Sequence, residues 1–225
     1  MVSREVPYSA QTYDSPNPIA RFAHRTRYRV SLATASRLLP EGGSMVDFGA
    51  GDGTFLHRFG AERPDARLVA IEPYMTIRHP GIAQVADLGE VEPASVDLIG
   101  TFEVLEHVTD AELAGFLANA RRALKPGGLL LVTVPIMYGA MLPVKELSRM
   151  VLYRRLSESS PAEIARATLG RPITRPEDRL PTHKGFDFRW LEGELAGSFA
   201  IRETFFSPFP ALPWWLNSQA IFVAG

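Results

Sequence analysis

Cysteine is absent from the 225 residues, which excludes disulfides, thiolate nucleophiles and cysteine-ligated zinc. Neither sign of charge is in excess, because 24 Lys and Arg stand against 25 Asp and Glu. That balance offers no broad phosphate-neutralising surface, so nucleic acid is not an expected partner, although a local basic patch stays open. Uninterrupted apolar runs are missing too. Residues 126–144 carry no charge, but Pro126, Gly127, Gly128, Pro135, Gly139 and Pro143 break them up. Residues 204–225 are also uncharged, yet they hold Pro208, Pro210, Pro213 and the polar Asn217-Ser218-Gln219. Neither stretch reads as a membrane-spanning helix. Met1 to Ala10 has no apolar segment of the secretory-signal kind. These absences leave a soluble, cytoplasmic protein as the expectation. At 46% hydrophobic residues, the chain has enough apolar side chain for one globular domain over residues 1–225.

What is present centres on Val46-Asp47-Phe48-Gly49-Ala50-Gly51-Asp52-Gly53-Thr54-Phe55-Leu56. Bulky apolar residues predict a buried strand ending near Phe48. Three alternating glycines then turn the chain into a helix whose apolar positions are Phe55, Leu56 and Phe59. Glycine serves where φ must be positive or where a ligand approaches the backbone closely. A turn of this kind sits at the carboxyl edge of an α/β sheet, where such folds bind ligands. Asp47 puts a carboxylate beside it, suited to backbone amides or a ligand's ammonium group. The spacing is not that of a dinucleotide fingerprint: the third glycine comes one residue early, and Asp52 would repel phosphate. No lysine follows the turn, so it is not a P-loop. A second strand, Arg67 to Ile71, ends in Glu72 and Pro73. An acid about 20 residues past the glycine turn is placed to accept bonds from ribose hydroxyls.

The run D-x-G-x-G-x-G resembles motif I of class I S-adenosylmethionine-dependent methyltransferases. The later segment Val96-Asp97-Leu98-Ile99 through Glu103-Val104-Leu105-Glu106-His107-Val108 resembles the subgroup that includes ubiquinone-pathway O-methyltransferases. The L-K-P-G-G-x-L-x-V stretch from Leu124 is also typical of that family. The resemblance is strong over residues 44–135 and loose over residues 183–225. It implies a Rossmann-like α/β three-layer sandwich with a seven-stranded, mainly parallel sheet. The seventh strand is expected to insert antiparallel between the fifth and sixth. It implies S-adenosylmethionine as cofactor, held around Asp47, Gly49, Ala50, Gly51, Gly53, Glu72 and Pro73. Asp87 and Leu88 after the third strand would meet the adenine, and Phe102 and Glu103 would flank sulfonium and adenine. The implied reaction moves a methyl group to a small-molecule substrate, an oxygen before a nitrogen or carbon. The Asn-Pro-Pro-Tyr-type signature of amide and base N-methyltransferases is absent, since Thr101-Phe102-Glu103-Val104 stands there.

Two segments lie outside the resemblance. Residues 1–40 read as an arm, extended up to Asn17 and then helical from Pro18 with Asn17 as cap. That helix carries six basic residues (Arg21, His24, Arg25, Arg27, Arg29 and Arg37). Most read as a solvated face, while Arg27 is the candidate for the carboxylate of the cofactor's amino-acid end. Residues 136–182 read as an insertion after the fifth strand, either a lid over the substrate or a surface excursion. His107 and His183 are the catalytic candidates for accepting a proton. The alternatives are structural, with His107 capping the next helix and His183 pinning the loop; His24, Glu103 and Glu106 stand behind them. Phe206, Phe209, Trp214 and Trp215 read as core or as a cage for an apolar substrate. No metal is expected, because His24, His79 and His183 show no ligand spacing.

Overall fold

The computed structural model describes residues 18–153, 157–177, 179 and 182–225. The extended arm and its Asn17 cap lie outside them. Helix α1 (Pro18–Leu38) leads through Pro40 and Gly42 to strand β1 (Ser44–Phe48), and the glycine turn leads to α2 (Thr54–Glu62). Strands β2 (Arg67–Ile71), β3 (Ile82–Val85) and β4 (Val96–Phe102) follow, then α3 (Asp110–Ala123) and β5 (Leu124–Pro135). The insertion forms α4 (Met141–Tyr153) and α5 (Pro161–Thr168). The chain ends with α6 (Phe188–Ser198), β6 (Ile201–Ser207) and β7 (Gln219–Ala224).

The sheet order is β3-β2-β1-β4-β5-β7-β6, with β7 antiparallel to both neighbours and the other pairs parallel. The expected insertion of the last strand is therefore present. Unbroken apolar strands arise because helices cover both faces. Successive side chains of a strand point to opposite faces. Met45, Leu98, Leu131, Ile221 and Val223 thus pack with Leu32 and Ala35 of α1 and with Phe55, Leu56 and Phe59 of α2. Val46, Ile99, Leu130, Val132 and Phe222 pack with Leu113, Phe116 and Leu117 of α3 and with Leu191 and Leu195 of α6. Among the described residues no helix is long and apolar enough to cross a membrane.

Several boundaries differ from the sequence reading. Lys125-Pro126-Gly127-Gly128 does not end the ladder. Val96 pairs with Leu124 and Leu98 with Leu129, so the intervening residues are looped out within β5, with Gly127 at φ 80°. Helix α6 begins at Phe188 rather than Leu191, because the Asp187 carboxylate accepts the Arg189 N–H and caps it. Helix α3 does start where the sequence places it, capped by Thr109, and His107 takes no part in that cap. The Thr109 hydroxyl accepts the Glu112 N–H, and the Glu112 carboxylate accepts the Thr109 N–H.

The insertion has a small core of its own, Tyr138, Leu142 and Ala167, with Ile173 and Trp214 against it. Tyr138 is 1% exposed and donates to the Gly185 carbonyl at 3.4 Å. Gly139 lets this core close on the β6–β7 connection. Its φ is +89°, and an added Cβ would lie 2.7 Å from the Trp215 Cα and 2.8 Å from its carbonyl oxygen. Both neighbours are backbone and cannot swing aside. Gly139→Ala should therefore destabilise the fold by about 2 kcal/mol or more, combining left-handed strain with the collision. Urea unfolding checks this: an unchanged midpoint would mean the connection yields.

Candidate active site

A cavity of about 570 Å³ opens at the carboxyl ends of β1 and β4. The glycine turn forms its floor. Gly49, Gly51 and Gly53 have φ of 79°, 56° and 78°. At Gly49 the left-handed conformation coincides with a close approach, since a Cβ would stand 2.5 Å from Val104 Cγ2. Asp47, Gly49, Ala50, Gly51, Phe102 and Glu103 line the cavity, as does Arg27 from α1. These are seven of the residues singled out from the sequence. Gly53 is buried at the entrance to α2, where its carbonyl accepts the His57 N–H.

Asp47 is 2% exposed, and its Oδ1 has no partner among the described residues. Burial, and secondarily the Glu72 charge, pushes its carboxyl up to about 8. A buried carboxylate without a donor is costly, so a ligand donor aimed at it is the arrangement that satisfies it. Glu72 stands behind the turn. One of its oxygens accepts the Gly51 N–H at 3.0 Å, and the other accepts those of Tyr74 and Met75 at 2.8 and 3.2 Å. The Gly51 amide thus binds the end of β2 to the middle of the glycine turn, while those of Tyr74 and Met75 fix the carboxylate from its own side.

Arg27 does not point free into the cavity. Its Nη1 meets Glu103 Oε2 at 2.6 Å, while its Nε is buried without a partner among the described residues. The other Glu103 oxygen accepts from Gln219 Nε2 at 3.0 Å. Glu103 has a φ of 60°, a left-handed conformation for a non-glycine residue at the exit of β4. Lys145 of α4 donates to the carbonyls of Ile136 and Ser218 close to this pair. Burial, and then Arg27, lowers its ammonium to about 8.

Sequence reading named Arg27 and His24 on one wall but missed Tyr28 and Ser31 beside them. His24, Arg27, Tyr28 and Ser31 line the cavity at positions i, i+3, i+4 and i+7 of α1. One helical face presents them together, and that spacing was the available signal. Burial, followed by Arg27, lowers the His24 imidazole to about 4, so it is neutral at pH 7. Tyr28 packs edge-on against Phe55 at 5.6 Å, and the Arg58 guanidinium lies 5.1 Å from the Tyr28 ring centroid. Phe55 and Phe102 rings are 4.1 Å apart.

Other expected site residues stand elsewhere. Asp87 and Leu88 are not among the residues lining the cavity. The Asp87 carboxylate caps a short 3-10 turn through the Gly89 N–H, and Leu88 is buried in the core. Pro73 follows Glu72 and is exposed. The aromatic residues offered as a cage also lie away: Trp214 packs on the Phe188 ring, and Phe209 and Trp215 are 44% and 45% exposed.

His107 and His183 do not line the cavity either, but they are brought together. Their Nε2 atoms are 3.0 Å apart. Glu106 Oε1 lies 4.0 and 3.8 Å from them, so these three residues make a set with metal-ligand geometry. This corrects the expectation that no ligand cluster exists. No local spacing could be read, because the two histidines stand 76 positions apart and folding of the insertion closes the gap.

A cavity with glycine amides and a buried acid at the carboxyl edge of a parallel sheet is that of a cofactor-binding α/β protein. A family profile described as a methyltransferase domain matches residues 21–168, and the chain belongs to that family. A probable S-adenosylmethionine-dependent methyltransferase from Mycolicibacterium smegmatis is 37% identical over 70 residues. That match spans 31% of this chain and only 25% of the relative's length. A crystal structure of a protein from Pyrococcus horikoshii OT3 has a TM-score of 0.63 at 14% identity, covering 97% of this chain and 95% of that one. The Burkholderia thailandensis 1,6-didemethyltoxoflavin-N1-methyltransferase, crystallised with 1,6-didemethyltoxoflavin and S-adenosylhomocysteine, has a TM-score of 0.55 at 18% identity. It covers 88% of this chain and 77% of that one. At such identities these two structures establish the fold.

Proposed function

We propose that the chain binds S-adenosylmethionine in the 570 Å³ cavity and transfers its methyl group to a small molecule, with a hydroxyl oxygen as acceptor. The observation that carries this is the buried Asp47 carboxylate, with one oxygen unpartnered at the glycine turn. The residues fit the group. Asp47 offers an acceptor to its ammonium, and Arg27 offers positive charge to its carboxylate. Glu72, whose carboxylate holds the Gly51 N–H from behind the turn, is the acid proposed for the ribose hydroxyls. Phe55, Phe102 and Tyr28 supply an aromatic wall for an adenosyl cation.

When bound, the cofactor supplies an electrophilic methyl group on a sulfonium. The chain's own task is to hold an acceptor in line with it and to keep water out. A hydroxyl acceptor must also lose a proton. His24 lines the cavity as a neutral imidazole and so has a lone pair to accept one. That the insertion follows β5 at the ligand edge of the sheet supports a role for it in covering the acceptor. The near-even charge balance supports a small metabolite over nucleic acid, and the setting is cytoplasmic.

Calorimetry with S-adenosylhomocysteine tests the cofactor half of the reading, with a micromolar one-to-one isotherm expected. Heat no larger than dilution would sink it. Transfer of labelled methyl to a panel of phenols, sugars and amines tests the acceptor half. Labelling of amines alone would replace oxygen by nitrogen.

A further inference from the structure

We propose that Lys145, on the first helix of the insertion, shares the cofactor's carboxylate with Arg27, so that the insertion itself takes part in binding the cofactor. Lys145 has this role only if the cavity takes S-adenosylmethionine, as proposed above.

Charge around the Arg27 end of the cavity does not balance. Arg27 and Lys145 bring two cations and Glu103 one anion, which leaves one positive charge in excess at pH 7. His24 adds none, because burial, followed by Arg27, lowers its imidazole to about 4. Glu106 does not restore the balance. Burial, and then the Glu103 charge, raises its carboxyl well above the ordinary range. Glu146 follows Lys145 on α4 but lines a different cavity with Met137 and Leu142, and it accepts from the Ser157 hydroxyl. One further carboxylate would neutralise the group.

Lys145 is also short of an anionic partner. An ammonium carries three N–H groups. Its Nζ donates to the Ile136 carbonyl at 2.8 Å and to the Ser218 carbonyl at 3.3 Å. Both acceptors are neutral, and among the described residues they are its hydrogen-bond partners. The acid between the two cations is already engaged. Glu103 Oε2 meets Arg27 at 2.6 Å, and Oε1 accepts from Gln219 at 3.0 Å. Burial, and then Arg27, lowers the Lys145 ammonium to about 8, with Glu103 and Glu146 opposing. A cation held against a second cation without its own anion is costly, and a carboxylate set between them relieves both.

Arg27 alone is poorly suited to the task. A ligand carboxylate arriving there competes with Glu103 for one guanidinium. Two carboxylates need a second cation, and Lys145 supplies it. Ile136 follows β5 and Ser218 precedes β7, so Lys145 ties the start of α4 to the sheet edge. The cofactor would thereby seat the insertion before an acceptor enters.

Calorimetry with two probes on the full chain tests this. S-adenosylhomocysteine carries the amino-acid end, and 5′-methylthioadenosine lacks it. Lys145→Met should weaken S-adenosylhomocysteine by about tenfold or more, the usual loss of a charge-assisted contact, and change 5′-methylthioadenosine by less than about twofold. Lys145→Arg, which keeps the cation, should recover most of the loss. Arg37→Ala, a remote surface change, should alter neither. Should Lys145→Met give no melting transition, Lys145→Gln, which keeps a donor for the two carbonyls, carries the test. Equal weakening of both probes would make Lys145 purely structural and overturn the assignment, as would weakening of neither. The cofactor reading fails separately, when the native chain binds neither probe, and the assignment to Lys145 falls with it.

Discussion

Asp47→Asn should lower affinity for S-adenosylhomocysteine at least tenfold at pH 8, with stability equal to or above that of the native chain. The two effects have one cause. Asp47 is buried at the end of β1, and its carboxyl is pushed up to about 8 by burial and by Glu72. The ordinary carboxylate value is near 3.9, so the folded state holds this proton more tightly than the unfolded chain does. Between those values the folded state binds more protons, and stability from this group falls as pH rises. Its contribution is fullest below about pH 4 and is lost as pH climbs through about 8. Asparagine carries no charge to desolvate, so its advantage in melting temperature should widen from pH 5 to pH 8.5. Binding runs the other way. A ligand ammonium needs the ionised carboxylate, so binding near neutral pH should expel a proton. Calorimetry in buffers of different ionisation enthalpy reads that proton directly. Native affinity should climb from pH 6 to pH 8, and Asp47→Asn should flatten the climb. A flat native profile would remove Asp47 from the binding site.

Glu103→Ala should cost about 3 kcal/mol or more, whereas Glu203→Ala should cost under about 1 kcal/mol. Each acid faces an arginine of α1 at short range: Arg27 to Glu103 at 2.6 Å and Arg37 to Glu203 at 2.7 Å. Exposure separates them. The side chains of the first pair are 21% and 10% exposed, and those of the second 52% and 43%. Water and salt screen the second pair, and its loss leaves two solvated charges. Loss of Glu103 instead strands Arg27 beside Lys145 in the cavity wall and leaves Gln219 Nε2 without its acceptor. For a chain of this size 3 kcal/mol corresponds to a fall in melting temperature of roughly 6–12 °C. Equal shifts for the two variants would show that the buried pair is solvated after all.

The features legible in the sequence are those set by local chemistry. The glycine turn, the five parallel strands and α3 follow from apolar periodicity, alternating glycines and a threonine before the helix, and each lies close to its expected residues. Asp47 and the glycines reached the cavity because a strand end and its turn are neighbours in sequence. The Lys125–Gly128 stretch was harder, since proline and glycines mark a break whether or not the ladder resumes beyond it. The α1 wall was read in part: Arg27 and His24 were singled out for their charge and their ring, whereas Tyr28 and Ser31 on the same face were passed over. The Glu106, His107 and His183 cluster depends on a tertiary contact across the insertion. No local period encodes such a contact.

Helix α1 supplies one wall of the cavity through His24, Arg27, Tyr28 and Ser31. Its inner residues Leu32 and Ala35 anchor it, while the row from His24 to Ser31 looks into the void. Anchoring and recognition are thus divided along a single rod, one end for each. Arg27 and Tyr28 in that row also carry structure, through Glu103 and Phe55, so His24 and Ser31 are the positions at which the guest space is retuned by design.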